Sequence, residues 1–226
     1  MNITACSFAQ AHLYAVELVL AHGDSIPTDY DKSDEPMSLD LPLTIEVTEP
    51  WSPPIFSKCV WDDAKGLLAY KDEVLHGTHD HLADAMSYTY HDRFKSQEKA
   101  MLDELRRNPY SRRAQMISWV PEVDQGSEHP PCWQRVWPRV RDGRLDFHAH
   151  WRSRDGLKAF GSNVFAFAHL HKKYAEELGF LTGVYREFID SFHIYGRDIE
   201  RANKFVQRPL VRWEWSLEDI LEDAKV

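Results

Sequence analysis

The sequence predicts an α+β fold, and three observations carry that expectation. Stretches with apolar residues at helical spacing recur along the chain. Stretches that alternate apolar and polar residues stand between them. No internal repeat, low-complexity segment or Pro/Gly/Ser-rich linker divides residues 1–226. A chain of this length can bury about 70% of its unfolded surface. One domain over 1–226 is therefore expected.

From about Phe8 to Ala21, Leu13, Val16 and Leu20 fall on one helical face, and His22-Gly23 supplies a stop. A polar loop rich in Asp, Ser and Pro runs through Pro36. Leu41 to Val47 reads as a strand, closed by Glu49-Pro50 and Pro53-Pro54. Val60 to Leu75 is ambiguous, with a helix as one reading. Ser96 to Arg107 has an amphipathic helical pattern (Ala100, Met101, Leu105) ended by Asn108-Pro109. Strands are expected over Ala114–Val120, Trp133–Val140 and Leu145–Arg152. In the last of these, Leu145, Phe147, Ala149 and Trp151 share one face, and Asp146, His148, His150 and Arg152 the other. Gly161-Ser162-Asn163 opens a helix to Leu178, with Gly179 as its stop. A strand over Val184–Tyr195, a short helix over Ile199–Phe205 and a tail helix over Glu218–Ala224 complete the pattern.

The net charge of −9 argues against a general nucleic-acid or anionic-membrane surface, which needs broad positive charge. The arginines are unevenly placed. None precedes Arg93, whereas Arg112, Arg113, Arg135, Arg139 and Arg152 crowd the centre, so a small anion held locally remains compatible. No apolar run approaches the roughly 20 residues of a membrane span, and no basic leader opens the chain. A cytoplasmic location and no membrane partner are expected. Three cysteines without metal-ligand spacing read as reduced thiols.

Each candidate site residue has an ordinary reading beside the chemical one. Cys132 alone is a small hydrophobe, or a nucleophile if a cation such as Arg152 lowers its thiol pKa. Arg112 and Arg113 are solvated charges after a helix, or phosphate ligands whose planar forks suit phosphate oxygens. Asn163 is of a type favoured as a helix cap. His193 and Tyr195 stand two apart on one face of a strand, as core aromatics often do. His76-Gly77-Thr78-His79-Asp80-His81 has metal-ligand residue types, yet no second cluster with matching spacing accompanies it, so a polar loop and no metal are expected. Arginines among many aromatics would also suit a single-stranded nucleic-acid module, against which the acidic charge counts.

Taken together, Ser111-Arg112-Arg113, Pro131-Cys132, Arg152-Ser153-Arg154-Asp155, Asn163 and His193-Ile194-Tyr195 resemble the active-site set of the thymidylate synthase family, including its nucleotide hydroxymethylase branch. Tyr90-His91-Asp92-Arg93-Phe94 resembles that family's Tyr-Gly-x-Gln-Trp element. The chain departs from the family pattern at Trp133, where most members carry His, and at Trp151, where Gln is usual. Both changes are expected to alter the polarity of the site. It also lacks an N-terminal arginine for phosphate, and it resembles the compact variety of the family.

The resemblance implies a mixed sheet packed by helices, with one sheet face at a homodimer interface. Arg112 and Arg113 would cross that interface to the partner's nucleotide phosphate. Arg152 and Ser153 would bind phosphate, with Arg152 also beside the Cys132 nucleophile, and Asp155 would order the site and the folate. Asn163 would read the base, His193 and Tyr195 the sugar, and Tyr90 would belong to the substrate site. Glu73 is the candidate for moving protons, and the terminal Val226 would close the site over the folate. The implied reaction joins a one-carbon unit from 5,10-methylenetetrahydrofolate to C5 of a pyrimidine 5′-monophosphate. Asn163 favours a uridylate, and Asn163 with the terminal Val226 favours conversion of dUMP to dTMP, with 5-hydroxymethylation of dUMP, dCMP or CMP as the alternative.

Overall fold

The computed structural model describes residues 1–53, 55–57, 63–82, 88–207 and 214–225. In chain order the elements are β1 (Asn2–Ala5), α1 (Phe8–His22), β2 (Asp24–Ile26), β3 (Ser38–Val47), β4 (Phe56–Ser57), α2 (Ala64–His76), α3 (Tyr90–Arg107), β5 (Met116–Ile117) and α4 (Pro121–Asp124). They continue with β6 (Trp133–Arg141), β7 (Arg144–Trp151), β8 (Arg154–Asp155), α5 (Phe160–Leu178), β9 (Leu181–Ile194), α6 (Ile199–Val206), β10 (Glu214–Trp215) and α7 (Leu217–Asp223). The α+β expectation holds, and most elements fall where the patterns put them. The ambiguous stretch is helical from Ala64, while residues 60–62 lie outside the described ones.

Where boundaries differ, short-range chemistry explains the difference. Helix α3 begins six residues before Ser96, because Thr89 accepts the Asp92 amide as an N-cap and starts the helix ahead of its apolar stripe. Tyr90 to Phe94 therefore form its first turns rather than precede it. The strand expected over Ala114–Val120 shrinks to Met116–Ile117, since Val120 already caps the turn opened by Pro121. The polar loop before Pro36 contains β2, which pairs with the start of β3 and lengthens that strand to Ser38.

The main sheet runs β1-β3-β9-β7-β6-β5, with β2 on β3 and β8 on β9. It is mixed: β1/β3 and β7/β9 are parallel, and β3/β9, β6/β7 and β5/β6 antiparallel. One face is covered by α1 and α5. Helix α5 is apolar around most of its circumference (Val164, Phe165, Ala166, Phe167, Leu170), as a helix wedged between a sheet and α2 must be. Leu145, Phe147, Ala149 and Trp151 all point to this side and are fully buried, as the alternation of β7 predicts.

The opposite sheet face carries Arg135, Trp137, His148, Arg186 and Phe188. Phe188 is 42% exposed, which is high for a phenylalanine in the middle of a long strand. No helix of the described residues is long and apolar enough to cross a membrane.

Two local features position the site. Strands β6 and β7 are joined by the two-residue turn Asp142-Gly143, whose φ values of 49° and 74° are both left-handed, the twist that tight hairpins need. The β7 edge then breaks at Arg152-Ser153 and resumes as β8 on the same partner strand.

Candidate active site

The β6–β7 hairpin determines which residues meet at its open end. Trp133 stands opposite Trp151, so the next residues outward are Cys132 and Arg152, and the Arg152 amide donates to the Cys132 carbonyl at 3.0 Å. The Arg152 side chain then folds back over the cysteine. Its Nε donates to the Pro131 carbonyl (3.0 Å), one terminal nitrogen donates to the Pro130 carbonyl (2.7 Å), and that nitrogen lies 3.8 Å from Cys132 Sγ. Two carbonyls thus aim the guanidinium at the thiol.

The expected net lowering of the thiol pKa is not what results. Burial pushes the Cys132 thiol up, Arg152 and then Arg154 pull it back, and Asp155 adds to the rise. Burial wins, so the arginines limit the rise without reversing it.

Cys132 lines a cavity of about 630 Å³, inside the range of small-molecule sites, roughly 300–1,000 Å³. One wall comes from β8 and the end of β9, contributing Ser153, Asp155, His193 and Tyr195. Parallel pairing sets Asp155 beside His193. The Asp155 carboxylate accepts the amides of Leu157 (3.1 Å) and Lys158 (2.9 Å), which fixes the turn into α5. His193 Nε2 is buried and has no hydrogen-bond partner among the described residues. Burial lowers the His193 pKa and pushes the Tyr195 phenol up to about 12, so both are neutral hydrogen-bonding groups. A smaller cavity of about 300 Å³ adjoins this wall and adds Asp40 and Ser191.

The facing wall is the start of α5 with one turn of α2. Asn163 lies at the end of the first turn of α5, four positions past the N-cap Ala159, whose carbonyl accepts the Asn163 amide. The cap reading is thereby overturned. The Asn163 side chain accepts from Arg154 (2.6 Å) through Oδ1 and donates to the Tyr70 hydroxyl (2.5 Å) through Nδ2. Arg154 is buried, paired with buried Glu187 at 2.7 Å and stacked 3.7 Å over the Trp151 ring. Tyr185 donates to the same Glu187 oxygen at 2.9 Å.

Arg154, Glu187 and Tyr70 were not singled out in the sequence. Arg154 could be found from its place in Arg152-Ser153-Arg154-Asp155. Strand alternation, however, sets Arg152 and Arg154 on one face, and the break at Ser153 separates them.

The remaining candidates divide. Tyr90 lines the cavity floor, and its hydroxyl accepts the Trp133 amide at 3.3 Å. Glu73 does not line the cavity; it hydrogen-bonds His79 at 3.0 Å, and Tyr70, three residues earlier on α2, faces the cavity. Arg112 and Arg113 are both exposed and absent from this chain's own cavity. Arg112 borders the groove on the open sheet face, with Arg135, Trp137, His148, His150 and Phe188. Val226 lies outside the described residues. Trp133 and Trp151, expected to change the polarity of the site, are fully buried and line no part of the cavity. They pack edge-on against Tyr90 at 5.9 and 6.0 Å. In the histidine-rich loop, Asp80 is taken by Thr89, His91 and Lys95.

The mixed sheet with helices on one face has the fold of a thymidylate synthase. The thermostable thymidylate synthase A of Bacillus subtilis matches 90% of this chain over 85% of its own, with a TM-score of 0.71 at 18% identity. The thymidylate synthase family model matches residues 60–216, and the chain belongs to that family. A Methanosarcina barkeri protein named "Putative thymidylate synthase" is 26% identical over 211 residues, 91% of this chain and 94% of its own. A Methanocaldococcus jannaschii protein of the same name is 28% identical over 213 residues, 88% and 93% of the two chains. The thymidylate synthase of Bacillus licheniformis is 32% identical over 108 residues, 48% of this chain and 39% of its own.

Proposed function

We propose that the protein transfers a one-carbon unit from 5,10-methylenetetrahydrofolate to C5 of a pyrimidine 5′-monophosphate, with conversion of dUMP to dTMP as the reaction. The observation that carries this reading is the Cys132 thiol at the cavity wall with the Arg152 guanidinium 3.8 Å from its sulfur. Family membership supports the reaction class.

On this reading the Cys132 thiolate adds to C6 of the base, and Arg152 stabilises the anion before attack. Negative charge then spreads from C5 to O4, where the Asn163 amide donates a hydrogen bond that strengthens as the charge develops. C5 forms the new carbon–carbon bond, the C5 proton leaves, and sulfur departs from C6. The folate supplies the one-carbon unit and, for methylation, the hydride that reduces it.

Ser153 and Arg152 hold the phosphate. The free Nε2 of His193 and the Tyr195 hydroxyl hold the sugar, and Asp155 orders the side of the cavity next to α5. The cavity volume and its Tyr70, Tyr90 and Tyr195 lining fit a nucleotide with a flat ring system against it. Arg112 and Arg113 serve a second copy's site across a homodimer interface on the open sheet face. Tyr70 is the polar group that α2 offers the base, in the place the family resemblance assigns to Glu73.

The test is an incubation with methylenetetrahydrofolate and each of dUMP, dCMP, UMP and CMP, with products read by mass spectrometry. Methylated dUMP with dihydrofolate is the expected outcome. A hydroxymethylated product without dihydrofolate would transfer the assignment to the hydroxymethylase branch, and no product from any nucleotide would remove it.

A further inference from the structure

The contacts of the Asn163 amide are unusual because one of them cannot be reversed. An asparagine side chain offers two donors on nitrogen and two lone pairs on oxygen, and turning it over exchanges the two ends at no covalent cost. Here each end meets one neighbour: Arg154 on the oxygen at 2.6 Å and the Tyr70 hydroxyl on the nitrogen at 2.5 Å. A tyrosine hydroxyl both donates and accepts, so it would tolerate either orientation. A guanidinium only donates. It admits the oxygen of Asn163 and rejects the nitrogen, whatever else surrounds the amide.

Arg154 itself has no freedom to turn away. It is 1% exposed, held by Glu187 at 2.7 Å, and flat on the Trp151 ring at 3.7 Å. Glu187 is equally buried and is fixed in turn by Tyr185.

We propose that Arg154, braced by Glu187, is the positioning residue that sets base specificity: it locks the Asn163 amide in the one orientation that reads uracil and refuses cytosine. This inference rests on the reading that Asn163 faces the base. With Arg154 and Tyr70 each taking one position, the amide retains one N–H and one lone pair for a ligand. Uracil presents a carbonyl beside an N–H, which a donor and an acceptor in that order satisfy. Cytosine presents an amino group beside a bare ring nitrogen, the reverse order. Reading cytosine requires the amide to turn over, and that sets its NH₂ against the N–H of Arg154, leaving two buried donors facing each other. The specificity thus lies one residue behind the group that touches the base.

The experiment measures equilibrium binding of dUMP and dCMP to the full chain by calorimetry, for the wild type and four variants. The wild type should prefer dUMP. Arg154→Met combined with Glu187→Gln removes the lock without stranding a buried carboxylate. It should narrow the dUMP:dCMP ratio by about ten-fold or more. Arg154→Lys keeps a donor-only head and should retain the ratio. Tyr70→Phe removes the contact that permits either orientation and should also retain it. Should the double variant fail to fold, Arg154→Gln takes its place, since its own amide can turn together with Asn163.

The ratio is decisive because general loosening of the site weakens both ligands alike. An unchanged ratio in a folded lock-released variant overturns the proposal, and so does a wild-type preference for dCMP. A wild type that binds neither nucleotide overturns the proposed function itself, and the lock with it.

Discussion

At the residue scale, the site turns on the competition at Cys132 between burial, which disfavours a thiolate, and two guanidinium groups, which favour one. Because burial wins, alkylation of Cys132 by iodoacetamide should accelerate with pH through a midpoint above that of an ordinary thiol. Arg152→Gln should move the midpoint further up, since the larger opposing charge is lost. Peptide-level mass spectrometry separates Cys132 from Cys6 and Cys59. A midpoint that stays put in Arg152→Gln would show that the 3.8 Å contact has no electrostatic consequence. Cys132→Ser should bind dUMP within a few-fold of wild type yet lose turnover, as the hydroxyl of serine is a far weaker nucleophile at neutral pH. Retained turnover in that variant would end the nucleophile assignment. Much of this was legible in the sequence: Cys132, Arg152, Ser153, Asp155, Asn163, His193 and Tyr195 were all named, and all gather at one end of the sheet. Tyr70 is recognisable only through its partner Asn163, 93 residues away, whereas Arg154 stands inside a quoted motif and only its role needs the contact with Asn163 nine residues on.

At the scale of elements, the hairpin turn and the β8–α5 connection decide how accurately these side chains meet. A Cβ added at Gly143 would touch nothing within 4 Å, so Gly143→Val tests the backbone alone. Holding a branched residue at a left-handed φ should cost about 1–2 kcal/mol, read as a lower urea midpoint with an unchanged slope. Gly156→Ala is the opposite case. Its new methyl would sit 2.1 Å from the Phe192 ring, and the same glycine bonds His193 and His12 through its backbone. Relief requires moving Asp155 or β9, so nucleotide affinity should fall even where the fold survives. Unchanged affinity for dUMP would mean that the turn does not position Asp155. Strand alternation foretold the buried face of β7 correctly, whereas apolar spacing placed the start of α3 at Ser96, six residues past its true start behind the Thr89 cap. The polar run His91-Asp92-Arg93 hides a helix whose stripe emerges only further on.

At the scale of the whole molecule, several histidines are buried as neutral groups. His12 and His171 have pKa values lowered to about 4, chiefly by burial. Above the ordinary value near 6.5 they carry no penalty. As pH falls from there towards 4 the unfolded chain takes up protons that the folded chain refuses. Stability should therefore decline over that window, by up to about 1.4 kcal/mol per pH unit for each such histidine. Urea midpoints between pH 7 and 4 check this, and a flat profile would contradict the burial of these rings. The open sheet face, with Phe188 uncovered beside Arg112 and Arg135, underlies the proposed homodimer. Mixing Arg113→Ala with Cys132→Ala chains should restore part of the lost activity, because one hybrid site in two is then intact. No recovery on mixing would contradict shared sites. Pairing between chains leaves little mark in a single sequence; here Arg112 and Arg113 are exposed and outside this chain's own cavity.

The β6–β7 hairpin carries a consequence for how this chain tolerates change. Cys132 and Arg152 are twenty positions apart in the chain yet face each other just beyond the Trp133/Trp151 pair, so their meeting depends on register. One extra residue is already taken up at Gln134, between the Trp133/Trp151 and Arg135/His150 pairs. A further single insertion that no bulge absorbs would turn the side chains between it and the open end to the opposite face. Insertions in pairs would preserve the facing and lengthen only the arms. Length variation in this segment should therefore come in even steps, be taken up in a bulge such as the one at Gln134, or be confined to the turn at Asp142-Gly143.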